Sequence, residues 1–257
     1  MLDIKNITKK FNVGTVDETT LFDNFSLSVE EGEFVSVIGS NGSGKSTLLN
    51  LICGSLTPDG GDILLDGKSI IRLPEHKRAS FIGRVFQDPK MGTCANLTIL
   101  ENLALADNKN KFYGLTGAIN KKQLDRYRTL LESCGLGLEN RLNTKVGSLS
   151  GGQRQAMALV IANMADIRLL ILDEHTAALD PKSSDTVMQL TDRFVCDKKI
   201  TTVMVTHNLR FAVNYGSRLI MMHEGKCIED IGGGEKKNAN VDDLLGKFYE
   251  ISIENGN

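Results

Sequence analysis

The sequence predicts an α/β fold built on a mainly parallel sheet and interrupted by a helical lobe, and three observations carry that expectation. The runs Phe34-Val35-Ser36-Val37-Ile38, Leu169-Leu170-Ile171-Leu172 and Thr201-Thr202-Val203-Met204-Val205 are continuous rather than alternating, which suits parallel strands covered on both faces. Strand-like and helix-like segments alternate toward both ends of the chain. The middle, roughly Asp88 to Leu149, instead carries helix formers at helical spacing.

Taken in order, Leu2, Ile4 and Ile7 in a polar setting and the alternating Leu27 and Val29 read as short strands, closed by a turn at Glu31-Gly32. The strand from Phe34 ends at Gly39 and runs through a glycine-rich loop into a buried helix start, Thr47 to Cys53. Asp62 to Lys68 reads as a strand ending in a turn. Glu101 to Ala106 and Lys121 to Cys134 read as helices, with Gly114 and Gly117 marking a loop between them. Leu219 to Met222 and Lys226 to Ile228, joined through Glu224-Gly225, read as a hairpin. Gly232-Gly233-Gly234 reads as a flexible connector to an amphipathic segment, Val241 to Tyr249.

The chain has 257 residues, enough to bury a sizeable core. A formal net charge of −2 supplies no general attraction to nucleic acid or anionic lipid. Cys53, Cys94, Cys134, Cys196 and Cys227 are scattered, without a CxxC pair, as expected for reduced thiols of a cytosolic protein. Met1 to Lys10 lacks the apolar run of a signal peptide, and no stretch reaches the roughly 18 apolar residues of a membrane helix. Any service to a membrane would go through a partner.

Gly39-Ser40-Asn41-Gly42-Ser43-Gly44-Lys45-Ser46, followed by Thr47, matches GxxxxGK[ST] between a strand and a helix. In such a loop the backbone turns its N–H groups around phosphate oxygens, and the helix adds its positive N-terminal dipole. Lys45 can reach the β- and γ-phosphates, and the Ser46 hydroxyl can ligate Mg²⁺. Leu172-Asp173-Glu174 closes an apolar strand with adjacent carboxylates. Alone it fits an exposed turn equally well; beside the phosphate loop, Asp173 reads as the metal residue and Glu174 as the base that polarises water.

Leu149-Ser150-Gly151-Gly152-Gln153 opens a helix running through Ala156, Met157, Leu159 and Val160. A hydroxyl, free N–H groups and a helix dipole make a second anion cradle, although Ser and Gly also serve as plain caps.

These residues resemble the ATP-binding cassette (ABC) family over nearly the whole chain. Leu149 to Gln153 is similar to the family signature, Gln87 after Arg84-Val85-Phe86 to its Q-loop, Ala178-Leu179-Asp180 to its D-loop, and His207 to its switch histidine. Phe11 stands where the family places an aromatic against adenine, and it also fits an ordinary core position. The resemblance implies a P-loop NTPase core with a mainly parallel sheet, an N-terminal antiparallel β subdomain and an inserted α-helical subdomain. It implies one domain over residues 1–257, with residues 1–88 and 159–257 as the nucleotide-binding core and 89–158 as the helical part.

The implied activity is ATP hydrolysis with Mg²⁺ in a transporter. Two cassettes would face head to tail, with Ser150, Gly151, Gly152 and Gln153 of one copy meeting the ATP held by the other. Gln87 would join metal and water to the helical part, and His207 would contact the γ-phosphate. Partners would be a second ATPase subunit, an identical copy, together with a membrane permease, at the cytoplasmic face of the membrane. Some positions depart from the family pattern: His175 replaces the usual Pro, Val160-Ile161-Ala162 lacks the usual Arg, and Asp166-Ile167-Arg168 lacks the usual Pro. His175-Thr176-Ala177-Ala178 with Glu101-Asn102-Leu103-Ala104-Leu105 resembles cassettes of amino-acid-type importers that use an extracytoplasmic solute-binding protein. The alternative is a soluble ABC ATPase acting on nucleic acid or ribosomes, against which stand the short insertion without heptads, the single cassette and the near-neutral charge.

Overall fold

The structure is a computed structural model that describes residues 1–109 and 119–254. Gly114 and Gly117, expected to mark a loop, lie outside the described residues. The elements begin with β1 (Leu2–Phe11), β2 (Thr19–Val29), β3 (Phe34–Gly39), α1 (Lys45–Cys53), β4 (Gly60–Leu65), β5 (Lys68–Ser69) and α2 (Glu75–Arg78). Next come β6 (Ile82–Val85), α3 (Ile99–Asp107), α4 (Leu124–Glu132), α5 (Gly151–Met164), β7 (Leu169–Asp173) and α6 (Pro181–Lys198). The chain ends with β8 (Thr201–Val205), α7 (Leu209–Asn214), β9 (Arg218–His223), β10 (Lys226–Gly232), α8 (Gly233–Asn238) and α9 (Val241–Glu254).

Two compact units divide these elements: Met1–Arg78 with Lys199–Asn257, and Ala79–Lys198. In the first unit, β2, β1, β4 and β5 form an antiparallel sheet in that order, with Leu2 paired to both Val29 and Leu65. Its other strands place β3 between β8 and β9, parallel to both, with β10 antiparallel on β9. In the second unit β6 and β7 pair in parallel, Val85 opposite Leu172. The continuous apolar runs are buried along their whole length, as parallel strands covered on both faces must be. The three parallel pairings and the N-terminal antiparallel sheet thus follow the expectation from sequence.

Local chemistry sets the ends of the elements. Thr98 caps α3 in a reciprocal box with Glu101, which explains why the helix starts at Ile99 rather than Glu101. Asp66-Gly67 makes the turn between β4 and β5. The connector expected at Gly232-Gly233-Gly234 is instead the end of β10 and the start of α8. That helix is fixed by Lys236, whose buried ammonium donates to the Val213 carbonyl. Beyond it, α9 lays Leu244 and Phe248 against Ile38, Ala212, Leu219 and Met221. Among the described residues no helix is long and apolar enough to cross a membrane.

Arg78 anchors the helix that follows the phosphate loop. Only 2% exposed, its guanidinium donates to the carbonyls of Leu51 at 2.7 Å and Ile52 at 2.9 Å, which belong to the last turn of α1. It also reaches Leu73 O at 2.8 Å and Ile71 O at 2.9 Å. Helix α1 has no basic residue of its own in its last turn, so Arg78 supplies the cation that complements the negative end of the dipole. Arg78→Met leaves these carbonyls without charged donors and is expected to lower unfolding stability by about 3 kcal/mol in denaturant melts. A loss below about 1 kcal/mol would contradict the anchoring role.

Candidate active site

Residues 39–44 lie between the end of β3 and the start of α1. Gly44 takes φ 100°, and a Cβ there would stand 2.9 Å from Cζ of Phe22, so the loop can lie on that ring only as glycine. Phe22 is itself buried and packs on Phe25 with ring centroids 4.9 Å apart. Gly44 offers α1 no side-chain cap, which leaves the first N–H groups of the helix directed outward. Lys45, 5% exposed, donates from Nζ to Gly39 O at 2.8 Å, Ser40 O at 2.7 Å and Ser43 Oγ at 3.3 Å. The cation is therefore held inside the loop by the loop's own oxygens. Asn41, Gly42 and Ser46 are exposed, Thr47 is half-buried and Ser43 is buried.

The topology aligns other residues with this loop. Val37 of β3 pairs with Val205 of β8, and Thr206 N donates to Val37 O at 3.2 Å, so the exposed His207 leaves the sheet at the end where the loop begins. The β9–β10 turn also supports the loop: Gly225 N donates to Ser43 O at 3.1 Å, and His223 Nδ1 lies 3.1 Å from Ser40 Oγ. Phe11 ends β1, half-buried, with the Lys9 ammonium 5.6 Å from its ring centroid.

In the second unit, the Val85–Leu172 pairing puts the exposed Gln87 and the Asp173-Glu174 pair beyond the same end of β6 and β7. Asp173 accepts a hydrogen bond from Arg84 Nη2 at 2.7 Å. Glu174 adopts φ 46°, a left-handed conformation that costs free energy for any residue but glycine. Its carbonyl accepts from Ala177 N at 2.9 Å, closing the turn. His175, 2% exposed, fixes the next position, with Nε2 3.1 Å from Thr191 Oγ1. The Thr191 hydroxyl donates to Val187 O at 2.8 Å, so its oxygen is the acceptor and His175 carries its proton on Nε2.

Ser150 caps α5 in a reciprocal box: its Oγ accepts from Gln153 N at 3.2 Å, and its N–H donates to Gln153 Oε1 at 3.2 Å. The cap uses a lone pair of the exposed hydroxyl, which leaves its proton for an outside acceptor. Gly152 is where α5 meets α6, since a Cβ there would lie 2.9 Å from Ser183 Cβ. Asp180 Oδ1 accepts from Ser183 N at 3.0 Å, and bonds from Ser183 hold its carboxyl below the usual range. Gln155, fully buried, donates from Nε2 to the carbonyl of Phe86, just before Gln87, at 3.0 Å.

Sequence reasoning identified the loop and the strand tips but missed Phe22, His223, Arg84 and Gln155. Phe22 and His223 carry no motif. Arg84 and Gln155 lie close to motif residues in the chain, but nothing in their spacing signals the contacts they make. The candidate metal donors, the Ser46 hydroxyl and the Asp173 carboxylate, are hard oxygens. Among the described residues no group of three or more His, Cys, Asp or Glu side chains gathers into a cage. Oxygens of either kind suit Mg²⁺, which binds through one or two protein oxygens plus substrate phosphates.

Burial pushes the His175 imidazole down from 6.5 to about 4. The unfolded chain therefore takes up a proton first as the pH falls, and stability drops with it. The contribution is complete above pH 6.5, is lost as the pH falls through about 4, and is on the order of 3 kcal/mol. Unfolding free energies of the wild type and His175→Gln, measured between these pH values, are expected to show the steeper acid loss in the wild type. Parallel curves would contradict a buried neutral imidazole.

Comparison with known proteins identifies the family. The family model described as "ABC transporter" matches residues 22–177. The chain is 49% identical to the tyrosine transport ATP-binding protein of Clostridioides difficile, over 96% of this chain and 98% of that one. It is 30% identical to the phosphonates import ATP-binding protein PhnC of Treponema denticola, over 100% of this chain and 98% of that one. A solved dimeric ATP-binding cassette in a post-hydrolysis state, bound to ADP and Pi, superimposes with a TM-score of 0.76 at 32% identity, over 90% of this chain and 98% of that chain. The chain belongs to the ABC transporter family, as an ATP-binding and ATP-hydrolysing subunit.

Proposed function

We propose that two copies of this chain hydrolyse ATP between them beneath a membrane permease, at the cytoplasmic face, to drive import of an amino acid of the tyrosine class. The backbone of residues 39–47 and Lys45 would hold the phosphates, Phe11 would stack on adenine, and Ser150 to Gln153 of the other copy would meet the γ-phosphate. Mg²⁺, held by Ser46 and Asp173 with Gln87 directed toward it, would neutralise charge developing on the phosphates. Glu174 would take a proton from the attacking water, and His207 would keep the γ-phosphate in line. Residues 89–158 would form the helical part that faces the permease, and an extracytoplasmic solute-binding protein would deliver the cargo.

The observation that carries the two-copy reading is the Ser150 cap. The cap bonds use the serine's N–H and a lone pair of its oxygen, so the exposed hydroxyl keeps a proton to give. A chain with one phosphate loop and one such helix end has two half-sites to offer, and a head-to-tail pair uses both. The cargo reading is supported by the likeness to a tyrosine transport ATP-binding protein, which extends over nearly the full length of both chains.

Glu174→Gln keeps the ligands and removes the base, so with ATP and Mg²⁺ it is expected to elute as a dimer in sizing chromatography. Elution as monomer alone, with nucleotide bound, would contradict the shared site. For the cargo, the chain reconstituted with the permease that co-purifies with it should take up labelled tyrosine when ATP is supplied. Lys45→Ala should reduce that uptake by at least tenfold. ATP-dependent uptake that survives Lys45→Ala would sink the coupling, and ATPase activity unaffected by tyrosine-loaded binding protein would sink the cargo.

A further inference from the structure

We propose that Arg84 is a positioning residue that neutralises Asp173 in the nucleotide-free protein and so makes uptake of a divalent cation depend on the phosphates arriving with it. The inference rests on the reading of Asp173 as a metal ligand. Arg84 Nη2 stands 2.7 Å from Asp173 Oδ2, and the side chains are only 14% and 17% exposed. Such a pair is screened far less than a surface ion pair.

The guanidinium also lies against an aromatic ring. Its carbon lies 4.7 Å from the centroid of the Phe86 ring, within cation–π distance. The Phe86 carbonyl in turn accepts from Gln155 Nε2 at 3.0 Å, and Gln155 is fully buried on α5, one turn beyond the Ser150 cap. The Arg84 Nε is buried without an acceptor among the described residues, so Asp173 is the anion the cation answers to. The pair is not needed to join the strands, since β6 and β7 already pair in register from Ile82–Leu169 to Val85–Leu172. Asp173 Oδ1 accepts no hydrogen bond among the described residues and keeps its capacity for a metal or a metal-bound water.

Removing Arg84 has two opposed effects. The Asp173 side chain gains rotamer freedom, which weakens metal binding slightly. A full positive charge next to the incoming cation disappears, which strengthens it. In so sheltered a setting the charge effect dominates. With the arginine present, only a ligand that brings several negative charges of its own tips the balance toward the metal, and ATP brings them.

Mn²⁺, followed by electron paramagnetic resonance as a stand-in for Mg²⁺, tests this on the intact chain without reference to turnover. In the absence of nucleotide, Arg84→Met is expected to bind Mn²⁺ about tenfold more tightly than the wild type. Arg84→Lys, which keeps the charge, should match the wild type, and with ATP present the difference between Arg84→Met and wild type should shrink. Arg84→Gln serves in place of Arg84→Met should the latter not fold. Equal or weaker Mn²⁺ binding by the uncharged variants would overturn the proposal. Asp173→Asn is the separate control: if it leaves the wild-type affinity for Mn²⁺ with ATP unchanged, the reading of Asp173 as a ligand fails, whatever Arg84 does.

Discussion

A nucleotide triphosphate is a dense polyanion, and lifting it out of water requires donors that are already in place, because a flexible cationic side chain would lose entropy on ordering. Backbone N–H groups at a helix start meet that requirement at no further cost in order, provided no side chain fills the space before them. Under the proposed function, this constraint accounts for one helix start in each unit. In one, α1 begins without a side-chain cap at Gly44, on a loop pressed against Phe22. In the other, α5 begins at a serine whose cap leaves its hydroxyl proton available, with Gly152 drawn tightly against Ser183. Within each unit the parallel strands deliver their loops to one end, β3 and β8 in the first and β6 and β7 in the second.

Buried polar residues stand behind three parts of the candidate site. Arg78 closes the far end of α1, His175 pins the turn that follows the strained Glu174, and Gln155 holds the carbonyl before Gln87. Each would cost stability if left without partners, and each has at least one hydrogen bond, although the Gln155 Oε1 is buried without a donor among the described residues. The His175 bond gives a physical reason for a side chain at a position where the family ordinarily has proline: Nε2–H to Thr191 restrains the turn from the side chain rather than through a ring in the backbone.

The parts of fold and site that are local in the chain were legible in the sequence. Continuous apolar runs marked β3, β7 and β8, and the glycine spacing from Gly39 to Gly44 marked the loop and the start of α1. Boundaries set by capping, such as Ile99 after Thr98, came out two residues away from the periodic signal. The triple glycine at 232–234 misled, because glycine content argued for a connector, whereas the buried Lys236 supplies the tertiary bond that makes α8 worth forming. Contacts between distant segments carried no signal. Nothing in the spacing of Arg84 and Asp173, 89 residues apart, announces an ion pair, and nothing near Phe22 announces that it floors the phosphate loop. Such features come from packing, which only coordinates reveal.

The central claim is that one ATP is gripped by two copies at once. The most direct measurement is chemical cross-linking between Asn41→Cys in one copy and Ser150→Cys in the other, in a chain with Cys53, Cys94, Cys134, Cys196 and Cys227 replaced. A short bifunctional thiol reagent should link the pair into a covalent dimer when ATP is bound and far less when ADP is bound. Cross-linking that is absent with ATP, or equal with ATP and ADP, would contradict the shared site.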